Sequence, residues 1–375
     1  GQSRLETKVR RLEAEIAKLE RRQQAVQRNT ARSLGSASLD VAALQRRLGG
    51  DRVLVEYFER EGRFKAFVLD QAELRVVQTD VQRKDVENWH SQFESQLRTF
   101  RHGTAVAGPL ASVLKKRTDQ LLATLGERLV GPLGVNGSAK RLIVIPTGPL
   151  FSVPFSALRF DDEYLIERHS VSLAPSASMW LGLAGRKAQK NLNAAVIGHS
   201  DEAIPFAEDE AREVAGILNS KKALTGPAAT TDGFKLAAES AGLLHIACHG
   251  LFRADNPMYS SLQLADGRVT AADVAKMRID AELVTLSACE TGRSEIAGGD
   301  EMLGLARGFL AAGARGLIMS LWNVSDRHTI GLMREFYRGM QRSANAEASL
   351  QSTQVKMVAQ GLHPYFWAPF CYIGS

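Results

Sequence analysis

A histidine and a cysteine each follow an apolar segment with the pattern of a buried strand. His249 comes near the end of LLHIACHG, and Cys289 ends AELVTLSAC. A helical pattern separates the two segments, so they can be neighbouring parallel strands whose carboxyl ends share one edge of a sheet. A thiolate can attack a carbonyl carbon, and a nearby imidazole can protonate the departing amine. The pattern therefore predicts nucleophilic acyl chemistry at this edge.

The backbone beside these two residues can stabilise the oxyanion that such an attack creates. Gly250 has no side chain, so its N–H is open to a substrate carbonyl, and the N–H of Cys289 is a second donor. A lone cysteine at a strand end is more often a small core residue. The partner His249 is what favours a catalytic role for Cys289 over that structural one.

The other thiols and the other imidazole of this region are predicted to be structural. Cys248 and Cys371 lie inside apolar strand patterns, which predicts packing in the core. His245 shares a strand face with His249 but lies deeper, so we expect a buried histidine. Adjacent residues of a strand point to opposite faces, so Cys248 and His249 cannot readily share a metal ion. We expect no metal and no cofactor.

Length and composition place the chain among globular proteins. It has 375 residues, of which 45% are apolar and 23% charged, so wholesale disorder is excluded. Three cysteines, an odd number, favour a reducing, cytoplasmic compartment over a disulfide framework. No apolar run reaches about 18 residues, and the charged N-terminus has no apolar leader segment. We therefore expect neither a membrane span nor a secretion signal.

The net charge of +6 belongs to the N-terminal segment, because residues 1–50 hold eleven Lys and Arg against five Asp and Glu. The same segment carries a short heptad seam, which is formed by Leu5, Val9, Leu12, Ile16 and Leu19. The seam predicts a basic amphipathic helix over residues 1–36 that packs on the protein body or binds a partner. Since the excess charge lies along one helix, the chain is not expected to bind nucleic acid directly.

The remainder of the chain divides into two halves. Residues 37–185 have the pattern of an antiparallel meander, a helical region and further strands. The polar stretch GRKAQKNLN marks the boundary, and residues 186–375 then alternate between strand and helix patterns. Repeated strand–helix units predict an α/β fold with a mostly parallel sheet and helices on both faces.

Several segments, in this order along the chain, resemble the CHAT domain family, a relative of separase and, more distantly, of caspases and gingipains. They are RLIVIPTGPLFSVPFSAL, SVSLAPSAS, HIACHG, LVTLSACETG, EMLGLARGFLAAGARGLIMSLWNVSD and HPYFWAPFCYIG. The resemblance implies a caspase-like sheet in the second half, preceded by a degenerate pseudo-protease half. It also implies a cysteine endopeptidase in which His249 and Cys289 form the catalytic dyad.

The resemblance further implies an acidic pocket for the substrate side chain before the cut bond. Asp326, in NVSD, matches the acidic position that receives a basic side chain in separase-like relatives. A carboxylate prefers Arg through a bidentate pair, although Asp326 is also a candidate helix N-cap. Glu290, Asp300 and Glu301 are rival acids. Trp322 is predicted either to wall this pocket or to pack in the core.

The resemblance thus implies a regulated endopeptidase that cuts a protein or peptide substrate after an Arg-type residue, in a bacterial defence or cell-death pathway. An activating partner or repeat domain would bind through the N-terminal helix. The alternatives are a catalytically silent interaction module of the same fold and another thiol acyl-transfer enzyme. No membrane contact is expected in any of these cases.

Overall fold

The structure is a computed structural model that describes residues 39–101, 110–135, 139–189, 192–202, 204–253, 256–287, 300–322 and 326–375, together with residues 15 and 324. For residues 101, 300–303, 326 and 327 it describes the backbone alone. The chain forms two compact units, residues 1–42 and residues 43–375. Apart from residue 15, the predicted helix at 1–36 lies outside the described residues.

The strands and helices follow one another along the chain much as their sequence patterns predict. The strands are β1 (Arg52–Arg60), β2 (Arg63–Leu69), β3 (Leu74–Gln82), β4 (Arg141–Ile145), β5 (Arg159–Phe160), β6 (Glu163–Tyr164), β7 (Ser170–Leu173), β8 (Ala194–Gly198), β9 (Lys222–Thr225), β10 (Leu243–Ala247), β11 (His249–Leu251), β12 (Ser261–Leu264), β13 (Gly267–Thr270), β14 (Leu283–Leu286), β15 (Gly316–Ser320) and β16 (Phe370–Gly374). The helices are α1 (Val41–Leu48), α2 (Arg83–Arg101), α3 (Ala111–Leu129), α4 (Leu165–Arg168), α5 (Ala177–Ala184), α6 (Ala207–Ile217), α7 (Thr231–Ser240), α8 (Ala271–Val274), α9 (Asp300–Ala312), α10 (Asp326–Ser343), α11 (Ala346–Ala359) and α12 (Pro364–Trp367).

One large sheet organises the second unit. In the part of the chain that the structure describes, eleven strands form it, in the order β3-β2-β1-β4-β7-β16-β15-β14-β10-β8-β9. Strands β1 to β3 form the predicted antiparallel meander, and β15 and β16 are also antiparallel. The other neighbouring pairs are parallel. The prediction of an α/β fold with a mostly parallel sheet is therefore confirmed.

Strand β16 joins the two predicted halves of the chain. It pairs in parallel with β7, where Tyr372 lies opposite Ser172, and antiparallel with β15, where Tyr372 lies opposite Ile318. Within the large sheet, the strands of residues 37–185 lie on one side of β16, and those that precede it in residues 186–375 lie on the other. One continuous sheet thus crosses the predicted boundary, and the division into two domains stays a prediction.

Burial on both faces explains why the central strands are so apolar. In β4, Leu142 and Val144 belong to the main core, whereas Ile143 and Ile145 belong to a second cluster on the opposite face. That second cluster is closed by Leu44, Leu48 and Trp180. The apolar pattern of RLIVI therefore reflects a strand that is covered on both sides, as the sequence predicts.

Three local features differ from the sequence pattern. The segment LLHIACHG is two strands rather than one, because β10 ends at Ala247 and β11 begins at His249 in a separate sheet of order β11-β12-β13. The hairpin of β12 and β13, which the sequence analysis did not predict, turns at Ala265 and Asp266, and Gly267 already pairs with Leu264. In FWAPFCYIG, Trp367 ends helix α12 and only Phe370–Gly374 is a strand.

Candidate active site

The candidate site lies where parallel strands end at one edge of the large sheet. Strands β8, β10, β14 and β15 are consecutive neighbours in the sheet and run parallel, so their carboxyl ends lie on the same side. In the ladder of β10 and β14, Ile246 lies opposite Leu286, which is 40 positions further along the chain. His249 and Cys289 are also 40 positions apart. Cys289 itself lies outside the described residues.

His249 is placed by a change of direction at the end of β10. The chain leaves the large sheet after Ala247, and β11 pairs antiparallel with β12, so that His249 lies opposite Gln263. The side chain of His249 is 15% exposed. Its Nδ1 lies 2.8 Å from Oδ2 of Asp201, the distance of a hydrogen bond in which Nδ1–H donates to the carboxylate.

Asp201 is a residue that the sequence analysis missed. It lies in the loop between β8 and α6, and its other oxygen, Oδ1, accepts the backbone N–H of Ile204 at 3.0 Å. The side chain is 33% exposed. The sequence does contain a signal for Asp201. It is an acid three residues beyond the end of a buried parallel strand, and sites form beyond the carboxyl ends of such strands. Only the pairing of β8 with β10, in which Gly198 lies opposite Ala247, brings it to His249.

Two further predicted site residues, Gly250 and Trp322, are both buried but have different surroundings. Gly250 is buried within β11, where it lies opposite Leu262. Trp322 is buried: its indole N–H donates to the carbonyl of Tyr365 at 3.1 Å, and its ring meets Phe93 edge-on at a centroid distance of 5.4 Å. These contacts support the core-packing alternative for Trp322. A role for it in a substrate pocket stays a prediction.

The predicted acids follow strands of the same edge. Asp326 is the first residue of α10, which follows β15, and Asp300 and Glu301 are the first two residues of α9, which follows β14. The structure describes only the backbone of these three residues, and Glu290 lies outside the described residues. The helix start at Asp326 fits both a capping residue and an acid presented at the sheet edge, so both alternatives stay open.

A buried polar cluster lies beneath the strand ends. Tyr337 on α10 donates a hydrogen bond to Oγ1 of Thr285 at 2.8 Å, and Nδ1 of His245 lies 3.1 Å from the same hydroxyl oxygen. Nε2 of His245 faces Oε1 of Glu210 at 3.3 Å. Burial raises the pKa of the Tyr337 hydroxyl above its ordinary value. His245 is therefore the buried histidine that the sequence predicts.

The described cysteines are structural. Cys248 is fully buried in the main core, as predicted. Cys371 packs against the same core, and burial raises the pKa of its thiol to about 12. A thiol with so high a pKa is almost entirely protonated at neutral pH and is a poor nucleophile.

The described residues lack two kinds of feature. They contain no group of three or more His, Cys, Asp and Glu side chains that could hold a metal ion. They also contain no helix that is long and apolar enough to cross a membrane.

Comparisons with known proteins agree with the fold. The model of the CHAT domain matches residues 118–375. Tetratricopeptide repeat protein 28 of Homo sapiens and its Mus musculus counterpart are each 27% identical over 323 residues, which cover 70% of this chain and 13% of theirs. The chain thus spans about 13% of the length of these curated relatives.

The solved structure of Saccharomyces cerevisiae separase in its complex with securin is similar over 88% of this chain and 31% of the separase chain. The TM-score is 0.58 and the sequence identity 11%, so this likeness concerns the fold. The caspase-like sheet, expected from the sequence, is thus also the sheet of separase. Since the CHAT model covers more than half of the residues, the chain belongs to the CHAT domain family.

Proposed function

We propose that this chain is a regulated cysteine endopeptidase in which Cys289 is the nucleophile and His249 the proton carrier. The observation that carries the proposal is the register of β10 and β14. Their paired residues are 40 positions apart, and His249 and Cys289 keep the same separation beyond the paired ends. Because neighbouring strands lie about 4.8 Å apart, the carboxyl ends of β10 and β14 lie side by side, and His249 and Cys289 follow these ends by two and three residues.

The proposed reaction has two stages. The Cys289 thiolate attacks the scissile carbonyl carbon, and the backbone N–H groups of Gly250 and Cys289 stabilise the oxyanion. His249 donates its proton to the leaving amine as the C–N bond breaks, which leaves a thioester on Cys289. Water then attacks the thioester, His249 accepts the proton of that water, and the carboxylic acid leaves as the thiolate is restored.

The proposed cleavage preference is for an Arg-type residue before the cut bond. Asp326 follows β15, the neighbour of β14 in the sheet, so an acid at this helix start is on the same edge as the proposed dyad. A carboxylate there would bind the planar guanidinium of Arg through two hydrogen bonds. Asp300, Glu301 and Glu290 are the alternative acids for this role.

A peptide-library digest tests the chemistry and the preference together. The wild-type chain is expected to cut after Arg, whereas the Cys289→Ala variant should not cut any peptide. Cys371→Ala is the matched control, since it removes a thiol of high pKa that packs in the core, and it should retain the activity. In Asp326→Asn the selectivity for Arg over neutral residues should fall by about tenfold or more, because a charged bidentate pair is lost.

Two outcomes would overturn the proposal. The first is a Cys289→Ala protein that still cuts Arg-containing peptides. The second is a wild-type protein that cuts nothing and whose Cys289 reacts with iodoacetamide no faster than Cys371. The second outcome would favour the catalytically silent interaction module. Formation of an amide with an added amine in place of hydrolysis would identify a transpeptidase-type enzyme.

Regulation is the remaining part of the proposal. The basic heptad segment, residues 1–36, would connect the protease to an activating partner or repeat domain, because its apolar seam and excess positive charge suit a helical partner with acidic flanks. Deleting residues 1–33 should then change activation by that partner without changing the cleavage preference. Unchanged activation would refute this connection. The role in bacterial defence or cell death rests on the family resemblance alone.

A further inference from the structure

We propose that Asp201 is a positioning residue for His249, holding its imidazole in the tautomer that the proposed dyad needs. The inference rests on the proposed function of His249 and Cys289, but the bond between Asp201 and His249 is a feature of the structure itself. The side chain of Asp201 accepts from Nδ1–H of His249 at 2.8 Å. The other ring nitrogen, Nε2, is then the atom that exchanges protons.

The three residues follow three neighbouring strands of the sheet. Strands β8, β10 and β14 are consecutive neighbours, and Asp201, His249 and Cys289 each follow one of them. The ladder between β8 and β10 continues past the strand end, because the N–H of His199 donates to the carbonyl of Ala247 at 2.9 Å. The carboxylate therefore approaches His249 from the β8 side of β10, whereas β14, the strand that Cys289 follows in the sequence, is the neighbour of β10 on the other side.

The carboxylate of Asp201 is itself held in place. Oδ1 accepts the N–H of Ile204 at 3.0 Å, and Oγ of the preceding Ser200 accepts the N–H of Glu208, in the first turn of α6, at 3.0 Å. Helix α6 is in turn tied to α10 by the ion pair of Glu213 with Arg334, in which Nη2 lies 2.9 Å from Oε2. These hydrogen bonds of Ser200 and Asp201 hold the carboxylate, so Oδ2 can bond His249 without a rearrangement of the backbone.

The chemistry of the imidazole explains what this bond achieves. A neutral histidine carries one proton, and a carboxylate beside Nδ1 keeps that proton on Nδ1. Nε2 then carries the lone pair that accepts the thiol proton, and the imidazolium that forms is stabilised by the adjacent negative charge. Without the carboxylate, the proton can move to Nε2, where it blocks the acceptor that Cys289 requires.

The first experiment needs no activity. In the full chain labelled with ¹⁵N-histidine, a long-range ¹H–¹⁵N correlation spectrum should show neutral His249 as the Nδ1–H tautomer. The signal is identified by its loss in His249→Gln. In Asp201→Asn the Nε2–H tautomer should become substantially populated. A wild-type His249 that is mainly the Nε2–H tautomer would overturn the inference, whatever the outcome of the peptide digest.

The second experiment measures kinetics on an Arg-containing peptide. Asp201→Asn keeps an oxygen for the Ile204 N–H, so the fold should survive, while kcat falls about 100-fold or more and KM changes little. Asp201→Glu should recover part of the lost kcat. Asp209→Asn is the matched control, because it removes a carboxylate of the same charge that pairs with Arg212 on the exposed side of α6. It should leave kcat unchanged.

The results separate the inference from the proposed function. A protein that cuts no peptide but has the expected tautomer refutes the protease and keeps the positioning role of Asp201. An active protein in which Asp201→Asn has the wild-type kcat and the wild-type tautomer refutes the positioning role and keeps the protease. If Asp201→Asn does not fold, the wild-type tautomer alone decides the inference.

Discussion

Gly304 is a position at which one added methyl group should disturb the packing beside the candidate site. Helix α9 crosses the turn Pro257–Tyr259 so closely that a Cβ atom on Gly304 would lie 1.9 Å from the carbonyl oxygen of Pro257 and 2.5 Å from its carbonyl carbon. Both atoms belong to the backbone and cannot rotate away. Gly304→Ala must therefore displace the helix or the turn by about 1.5 Å, because ordinary contacts of a Cβ atom begin at 3.4 Å.

The cost of this displacement follows from two opposing effects. Overpacking a close-packed interior costs about 1–3 kcal/mol, and a rigid backbone neighbour places Gly304→Ala at the upper end. The better helix propensity of alanine offsets about 1 kcal/mol of that cost. We therefore expect a net loss of about 2 kcal/mol. With an unfolding entropy of about 2.1 cal/mol/K per residue over residues 43–375, the thermal midpoint should fall by about 3 °C.

Gly331→Ala is the matched control for Gly304→Ala. Gly331 also lies within a helix, α10, but nothing lies within 4 Å of a Cβ atom built there. Only the gain in helix propensity should remain, which raises the midpoint by about 1 °C. Differential scanning calorimetry compares the two variants with the wild type. A Gly304→Ala protein that melts at or above the temperature of Gly331→Ala would refute the close packing.

The same variant should also affect function. The turn Pro257–Tyr259 lies between β11, which carries His249, and β12. A shift of about 1.5 Å in this region should lower the proposed peptidase activity by about tenfold or more, since misplacing reacting groups by about 1 Å can already cost about 100-fold. An unchanged cleavage rate in a destabilised Gly304→Ala protein would show that the shift is absorbed elsewhere, away from His249.

Two further predictions concern buried polar groups. Burial lowers the pKa of His363 to about 4, and its Nδ1 accepts the N–H of Tyr365, a bond that protonation would break. The unfolded chain binds this proton near pH 6.5, so stability should fall as the pH drops from about 6.5 to 4, by up to about 3 kcal/mol. In His363→Gln the difference in thermal midpoint between pH 7 and pH 4.5 should shrink, and an unchanged difference would contradict this assignment. Tyr337→Phe removes the hydroxyl that bonds Thr285 and His245 and should cost about 1–3 kcal/mol, because both partners stay buried; a midpoint equal to that of the wild type would argue against the cluster.

The sequence predicts the fold correctly where the apolar pattern of a segment directly reflects the burial of its residues. The apolar run of β4 predicts a strand that is covered on both faces, and the structure shows such a strand. The alternation of strand and helix patterns likewise predicts the parallel pairing of β8, β10, β14 and β15. The location of His249 also follows from a general rule, since sites form beyond the carboxyl ends of parallel strands.

Other features depend on contacts between distant residues, which pattern alone does not report. Nothing local distinguishes Asp201 from an ordinary loop acid, because only the pairing of Gly198 with Ala247 carries it to His249. The break between β10 and β11 was missed because strict alternation assumes an uninterrupted strand. The position of β16 between β7 and β15 is likewise a long-range result, since both partners lie far from it along the chain.

The central position of β16 has a consequence for synthesis on the ribosome. Translation delivers the chain from its N-terminus at about 5–20 residues per second, so β1 to β7 and then β8 to β15 emerge while the strand that pairs with both is still missing. The nascent polypeptide then exposes two unpaired strand edges, those of β7 and β15, which are surfaces that chaperones can protect. Closure of the sheet is therefore among the last events of folding. A chain that ends before Phe370 should therefore lack the proposed peptidase activity.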